Sequence, residues 1–291
     1  MKPAAFDYFR PATLAEACAL LAGAGDDADR RVLAGGQSLV PMMAMRLARP
    51  THLVDISRIA ELQGIRDRGD HVEIGAGTRQ RAVEKDPVTA RKLPLLAAAL
   101  PHVGHHQTRN RGTIGGSIAL GDASAEIPLV ALVLNATFVI HGRNGRREAP
   151  AKGFFEGPMM TALAPDEILA AIRFPVWSGV TGCGFHEIAP RRGDYALVSA
   201  AAQIALDADG ICTRAAVGVG GCAPTPLRLP AVEDALVGKR LTDAPIAEAV
   251  ASVPGLIDPE SSTHASDAYR RRAAPHLVQR ALRDALAAAA A

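Results

Sequence analysis

The sequence predicts an α+β chain of two domains, and three observations carry that expectation. The chain has 291 residues, room for more than one core. Apolar residues make up 48% of it, enough to fill those cores. The texture changes at residues 175–177. Short helices and strands alternate before that point; three strands and then three helices follow it, the segregated order of an α+β unit. The implied division is 1–176, with subdomains of about 1–57 and 58–176, followed by a smaller domain over 177–291.

Each element has its own signal. Residues 11–23 read as a helix, because Leu14, Ala17, Cys18 and Leu21 form one apolar stripe and Thr13 with Glu16 makes a capping box. Gly23 and Gly25 end it. A strand over 31–34 runs into Gly35 and Gly36. A helical turn or two over 41–48 stops before Pro50. Strands follow at 52–56 and 71–77, then helix over 87–100 with a break at Pro94. Segment 101–128 is long, glycine-rich and polar, the kind of stretch that is functional or disordered in a compact domain. Ile114, Ile118 and Leu120 punctuate it and favour order. A helix over 127–134 leads to a hairpin over 137–149 that turns on Asn144 and Gly145, and a strand spans 168–174. Beyond 177, strands at 182–189, 195–206 and 211–219 make a three-stranded antiparallel sheet, the last pair joined by Asp209 and Gly210. Helices near 230–238, 243–252 and 267–289 complete the chain, and the terminal alanines fray.

Composition excludes several functions. Aromatic residues are 4% of the chain, too few for base-stacking platforms. The net charge is +2, and the densest basic cluster, Arg270 to Arg272, reads as a solvated helix face. Neither a nucleic-acid stripe nor a membrane-surface helix stands out. No run of eighteen apolar residues and no signal-peptide order is present, so a cytoplasmic protein without a membrane span is expected. Cys18, Cys183, Cys212 and Cys222 are far apart and lack CxxC spacing, which argues for buried thiols and against an iron–sulfur cluster in this chain. His102, His105 and His106 have helical ligand spacing, but Pro101 and Gly104 oppose a helix and no nearby acid or cysteine completes a metal site. Ser124 and Glu126 have no histidine placed to make a triad readable. Arg191 and Arg192 read either as a guide for an anionic partner or as solvated charge.

Two short stretches remain, "AGGQS" at 34–38 and "TIGGS" at 113–117. Glycine pairs permit positive φ and leave room for a ligand. Successive N–H groups then form an anion-binding nest, to which a hydroxyl adds a donor. Either motif alone is an ordinary tight turn; two together fit a ligand with two phosphates. A P-loop would need a lysine after its second glycine, and "GAGTRQ" at 75–80 lacks the third glycine of a Rossmann fingerprint.

At this point "AGGQSLVPMMAMRLARPTHLVDI" and "RNRGTIGGSIALGDASAEIP" resemble the flavin-binding signatures of the medium, FAD-carrying subunits of molybdenum hydroxylases. These form the carbon monoxide dehydrogenase, quinoline and nicotine dehydrogenase, and xanthine dehydrogenase group. The similarity extends to "IGAGT" at 74–78, the hairpin, and "PRRGDYALVSAA" at 190–201. It implies a two-lobed FAD domain of the vanillyl-alcohol oxidase (PCMH) type over 1–176 and a carbon monoxide dehydrogenase flavoprotein-like domain over 177–291. It further implies that Ala34, Gly35, Gly36, Gln37, Ser38 and Leu39 hold the pyrophosphate. Thr113, Ile114, Gly115, Gly116 and Ser117 wrap FAD from the other side, and Asp122 bonds its ribose or adenine end. Leu163 lies against the isoalloxazine, and Tyr195 near its redox face. The expected partners are a small subunit with [2Fe–2S] clusters and a large subunit with the molybdopterin cofactor, in a dimer of heterotrimers. Electrons would reach FAD from the clusters and leave to an external acceptor. A stand-alone FAD-dependent oxidase or reductase on the same scaffold is the alternative, and a binding module with purely structural glycine turns is a third.

Overall fold

The computed structural model describes residues 2–23 and 28–290. The first lobe is a small parallel sheet of β1 (Asp7–Phe9), β2 (Arg30–Leu33) and β3 (His52–Asp55), in the order β1-β3-β2. Helix α1 (Leu14–Leu21) buries Leu14, Ala17, Cys18 and Leu21, its expected stripe, against Val54, Ile59 and Leu62. The Thr13 hydroxyl accepts the Glu16 N–H at 3.2 Å, and the Glu16 carboxylate accepts the Ala12 N–H at 2.8 Å. The capping box therefore closes one residue early. The stop expected at Gly25 lies outside the described residues. Helix α2 (Leu39–Ala44) links β2 to β3 as a parallel crossover.

The second lobe is antiparallel. β4 (Ile65–Asp67) and β5 (His71–Gly75) precede the hairpin of β6 (Thr137–Gly142) and β7 (Gly145–Pro150). A two-stranded ribbon, β8 (Phe155–Gly157) and β9 (Met160–Thr161), follows. β10 (Ile168–Pro175) then returns to the centre, giving the order β4-β5-β10-β6-β7. Between β5 and β6 run α3 (Gln80–Glu84), α4 (Pro87–Lys92), α5 (Pro94–Ala99), α6 (His106–Arg111), α7 (Ile114–Leu120) and α8 (Glu126–Val133). Leu93 leaves the helical region at φ −126°, because the residue before a proline avoids it, and this separates α4 from α5. Segment 101–128 is ordered. Buried Arg109 helps fix it by donating to Val103 O at 2.9 Å, Gly104 O at 3.0 Å and the Glu84 carboxylate at 2.9 Å.

The C-terminal sheet has four strands rather than three: β11 (Val180–Ile188), β12 (Val198–Leu206), β13 (Cys212–Gly220) and the two-residue β14 (Leu227–Arg228), all antiparallel. β14 is too short to leave an alternation in the sequence. Helices α9 (Pro230–Leu236), α10 (Asp243–Val250), α11 (Val253–Leu256) and α12 (Asp267–Ala289) pack on one face. The other face shares a core with α5 and α8 of the second lobe, through Phe185, Ala201, Ala205 and Ala216. Buried on both sides, β12 shows no apolar–polar alternation. Arg270 corrects the reading of a solvated basic face. It is buried, and its guanidinium donates to Leu197 O and Gly221 O, pinning α12 to two loops. Among the described residues no helix is long and apolar enough to cross a membrane.

α12 lies directly on β11 because glycines face it. A Cβ on Gly184 would meet Ala281 O at 2.2 Å, and one on Gly182 would meet Ala285 O at 1.9 Å. Gly184→Ala should therefore cost about 1–3 kcal/mol, read as a lower midpoint in urea unfolding. Gly255→Ala, with nothing within 4 Å of its Cβ, should be neutral or stabilising.

Candidate functional site

The two glycine motifs come together although 80 residues separate them. A Cβ on Gly35 would stand 2.4 Å from Arg111 O and 2.8 Å from Gly112 Cα, so the first loop is pressed backbone to backbone against the segment entering the second. Arg79 supports the contact from behind by donating to Arg111 O. Beside the motifs runs a cavity of about 800 Å³. This lies in the upper range of small-molecule sites and is large enough for a dinucleotide.

The motifs differ in conformation. Gly36 has φ +73°, as a nest requires, and then the chain enters α2. The N–H groups of Gly35, Gly36, Gln37, Ser38 and Leu39 donate to no protein acceptor among the described residues. Five successive amides are thus free to receive an anion. Gly115 and Gly116 do not take positive φ; they are the first turn of α7, capped by Thr113. Their amides are already used. Ile114 N–H donates to Thr78 O at 3.1 Å, Gly115 N–H to Ala76 O at 2.8 Å and Gly116 N–H to the Thr113 hydroxyl at 3.0 Å. Ser117 N–H donates to Thr113 O at 3.3 Å. The expectation of two equivalent nests is corrected here. The second motif needs glycine for approach, since a Cβ on Gly115 would stand 2.3 Å from that of Ala76. It offers the cavity a smooth surface and the Ser117 hydroxyl.

Ala34 through Leu39, Thr113, Gly115, Gly116, Ser117, Leu163 and Tyr195 all line the cavity. Ile114 and Asp122 are not among the lining residues. Ile114 is fully buried in the second-lobe core. Asp122 accepts the Ser124 N–H at 2.8 Å, and burial raises its pKa against that bond. Tyr195 belongs to the loop after β11, reaches the Ser38 side chain, and is 54% exposed. Gly193, at φ +87°, brings that loop against His105. His102 meets Glu187 at 3.2 Å, an acid far off in sequence, yet no group of His, Cys, Asp and Glu fit to hold a metal occurs among the described residues. Arg191 pairs with Asp194 at 3.1 Å.

Two kinds of lining residue were not expected at the site: the methionines Met159 and Met160, and Glu126, which the sequence offers only as an acid without a triad partner. Met159 and Met160 form an exposed lip on the β8–β9 turn, with Met159 at φ +54°. Glu126, the first residue of α8, is 4% exposed and faces the cavity. Burial, with the Glu187 and Asp122 carboxylates adding to it, pushes Glu126 up to about 8. The only sequence signal for it was an acid at the boundary of an apolar helix.

A profile described as the FAD binding domain in molybdopterin dehydrogenase matches residues 4–177. A second, the carbon monoxide dehydrogenase flavoprotein C-terminal domain, matches residues 184–285. The chain is 39% identical to the 6-hydroxypseudooxynicotine dehydrogenase complex subunit alpha of Paenarthrobacter nicotinovorans, over 98% of this chain and 96% of that one. It is 38% identical to the carbon monoxide dehydrogenase medium chain of Hydrogenophaga pseudoflava, over 99% of both. The solved carbon monoxide dehydrogenase of that organism, in a form lacking the Mo-pyranopterin moiety of the molybdenum cofactor, superposes with a TM-score of 0.95 over 99% of both chains, at 39% identity. Quinoline 2-oxidoreductase from Pseudomonas putida 86 gives 0.93 at 36% identity, covering 99% of both chains.

The Glu126 carboxyl gives the fold a pH dependence of definite sign. Its folded pKa, about 8, lies above the ordinary 4.5. The stability tied to its neutral form is complete in acid and is lost as pH rises through about 8. The slope reaches about 1.4 kcal/mol per pH unit. Glu126→Gln should match the parent near the acid end and exceed it in alkaline unfolding experiments.

Proposed function

The chain belongs to the family of FAD-binding subunits of molybdopterin dehydrogenases, and from that premise we propose that it is the electron-transfer flavin subunit of a molybdenum hydroxylase. It works beside a small subunit bearing [2Fe–2S] clusters and a large subunit bearing the molybdopterin cofactor, as a dimer of heterotrimers in the cytoplasm. The substrate is oxidised on the large subunit. Bound FAD supplies the redox chemistry here: it accepts electrons from the clusters and passes them to an external acceptor.

The observation that carries this reading is the run of free amides from Gly35 to Leu39 in a cavity of dinucleotide size. An anion without lysine ligands needs such donors. In our reading those amides hold the pyrophosphate, and the Ser38 and Ser117 hydroxyls replace water that the phosphates give up. Leu163 would lie against the isoalloxazine, and Tyr195 near its redox face. Ile114 and Asp122 serve from behind the wall: Ile114 anchors α7 in the core, and Asp122 fixes the turn that presents Glu126.

The native complex should purify yellow, with absorbance near about 450 nm, and contain iron and molybdenum on separate partner chains. Gly36→Val adds a branched side chain at φ +73°, 3.1 Å from Val40, and Gly116→Val crowds the Thr113 hydroxyl at 2.8 Å. The double variant should assemble as apoprotein. Stoichiometric FAD in the purified double variant would overturn the assignment of the cavity.

A further inference from the structure

We propose that His102, Glu187 and Glu126 form a proton path that enters the cavity from the side, along the seam between the second lobe and the C-terminal sheet. The inference rests on the flavin reading above. Iron–sulfur carriers deliver electrons without protons, yet complete flavin reduction matches each electron with one proton. Glu126, a buried acid in the cavity wall, is placed to supply these protons.

The seam contains the parts. His102 is half-exposed, and its Nδ1 lies 3.2 Å from Glu187 Oε1, with Phe185 beneath the ring at 5.1 Å between centroids. The Glu187 side chain is 8% exposed and stands on β11 on the face turned toward the second lobe. Directly opposite it on β12 is Ser199, in strand register. Glu187 Oε2 and Ser199 Oγ are buried there without a hydrogen-bond partner, and Gln203 Oε1 is likewise unpaired four residues further along β12, opposite Cys183. Polar atoms so placed are ordinarily bridged by internal water, the usual medium of a proton wire. Ser199 Oγ lies against Gly220, whose absent Cβ would stand 3.1 Å from Ala123 O. The seam thus reaches the turn that delivers Glu126 to the cavity wall.

Glu126 ends the path. Among the described residues no group hydrogen-bonds its carboxyl apart from its own N–H. The charged groups that act on it are Glu187, Asp122 and Arg109, while Tyr195 faces it across the cavity. Burial and the neighbouring Glu187 and Asp122 carboxylates favour the protonated form of Glu126. Arg109 acts against that shift, but its hydrogen bonds go to Glu84 and to three carbonyls. During reduction, electrons come from the one-electron carrier of the partner. With FAD bound, Glu126 would give up its O–H proton to the reduced group, where a new N–H bond forms, and be left a carboxylate. A proton from solvent then crosses His102 and Glu187 to restore it. Reoxidation sends the surplus proton back along the same route.

The test uses the FAD-loaded complex, reduced by a viologen radical in weak buffer with a pH-indicator dye. In the parent, dye and flavin traces should coincide. Glu126→Gln should slow proton uptake at least tenfold at unchanged FAD content. His102→Ala should slow it similarly and be rescued by added imidazole, which a merely structural role would not allow. Should Glu126→Gln lose flavin, the His102→Ala rescue decides alone. Coincident traces in His102→Ala, or slowing that imidazole leaves untouched, overturn the path while the flavin assignment stands. A parent complex without flavin overturns that assignment instead.

Discussion

The structure depends on a contact that tolerates no side chain. The loop at Gly35 touches the backbone of Arg111 and Gly112, and the first turn of α7 touches Ala76 through Gly115. These approaches bring three segments, the end of β2, the end of β5 and the start of α7, within backbone distance of one another. The cavity is the space that remains beside them. Shifting any of the three by the width of a methyl group would spoil the register between the first lobe and the second. The first-lobe core already reaches the second lobe through Ile168 and Ala170 of β10, and the seam of glycines fixes the approach on the cavity side.

The same asymmetry explains how much could be read from the sequence. α1, the Asn144 hairpin, the Pro94 break and α12 were legible because each depends on local rules of periodicity, turn chemistry or proline geometry. The glycine motifs were legible as a pair, and most of their residues do line the cavity. Their division of labour was not, since whether an amide is free depends on where Thr78 and Ala76 lie. Arg270 misled for a related reason: a charged triplet on a helix reads as solvated until the carbonyls of Leu197 and Gly221 are found beneath it. Glu126 was visible only as an acid without a triad partner, because its position in sequence fits an ordinary first-turn acid. Its burial comes from α8 packing under the C-terminal sheet, a contact between residues far apart in the chain. Asp122 was the more visible acid, and the turn it stabilises is what aims the less visible one.

The C-terminal sheet is more than an appended domain. One face carries α12 through Gly182 and Gly184; the other closes over α5 and α8, where Gly218 admits Val133 and Leu129. A sheet buried on both faces has no freedom to slide, and its loop at 190–195 is therefore held firmly at the cavity. Exposed Tyr195 and the Met159–Met160 lip sit at the opening, where the second lobe and the C-terminal loop meet.

The run of unpaired amides has a consequence for the stability of the polypeptide. Donors that no protein atom satisfies are hydrated in the open cavity and exchange that water for the anion. By mass action, a ligand that binds only the folded form adds RT ln(1 + [L]/Kd) to stability, about 2.7 kcal/mol at a hundredfold excess over Kd. The chain loaded with its anion is therefore the form more resistant to unfolding.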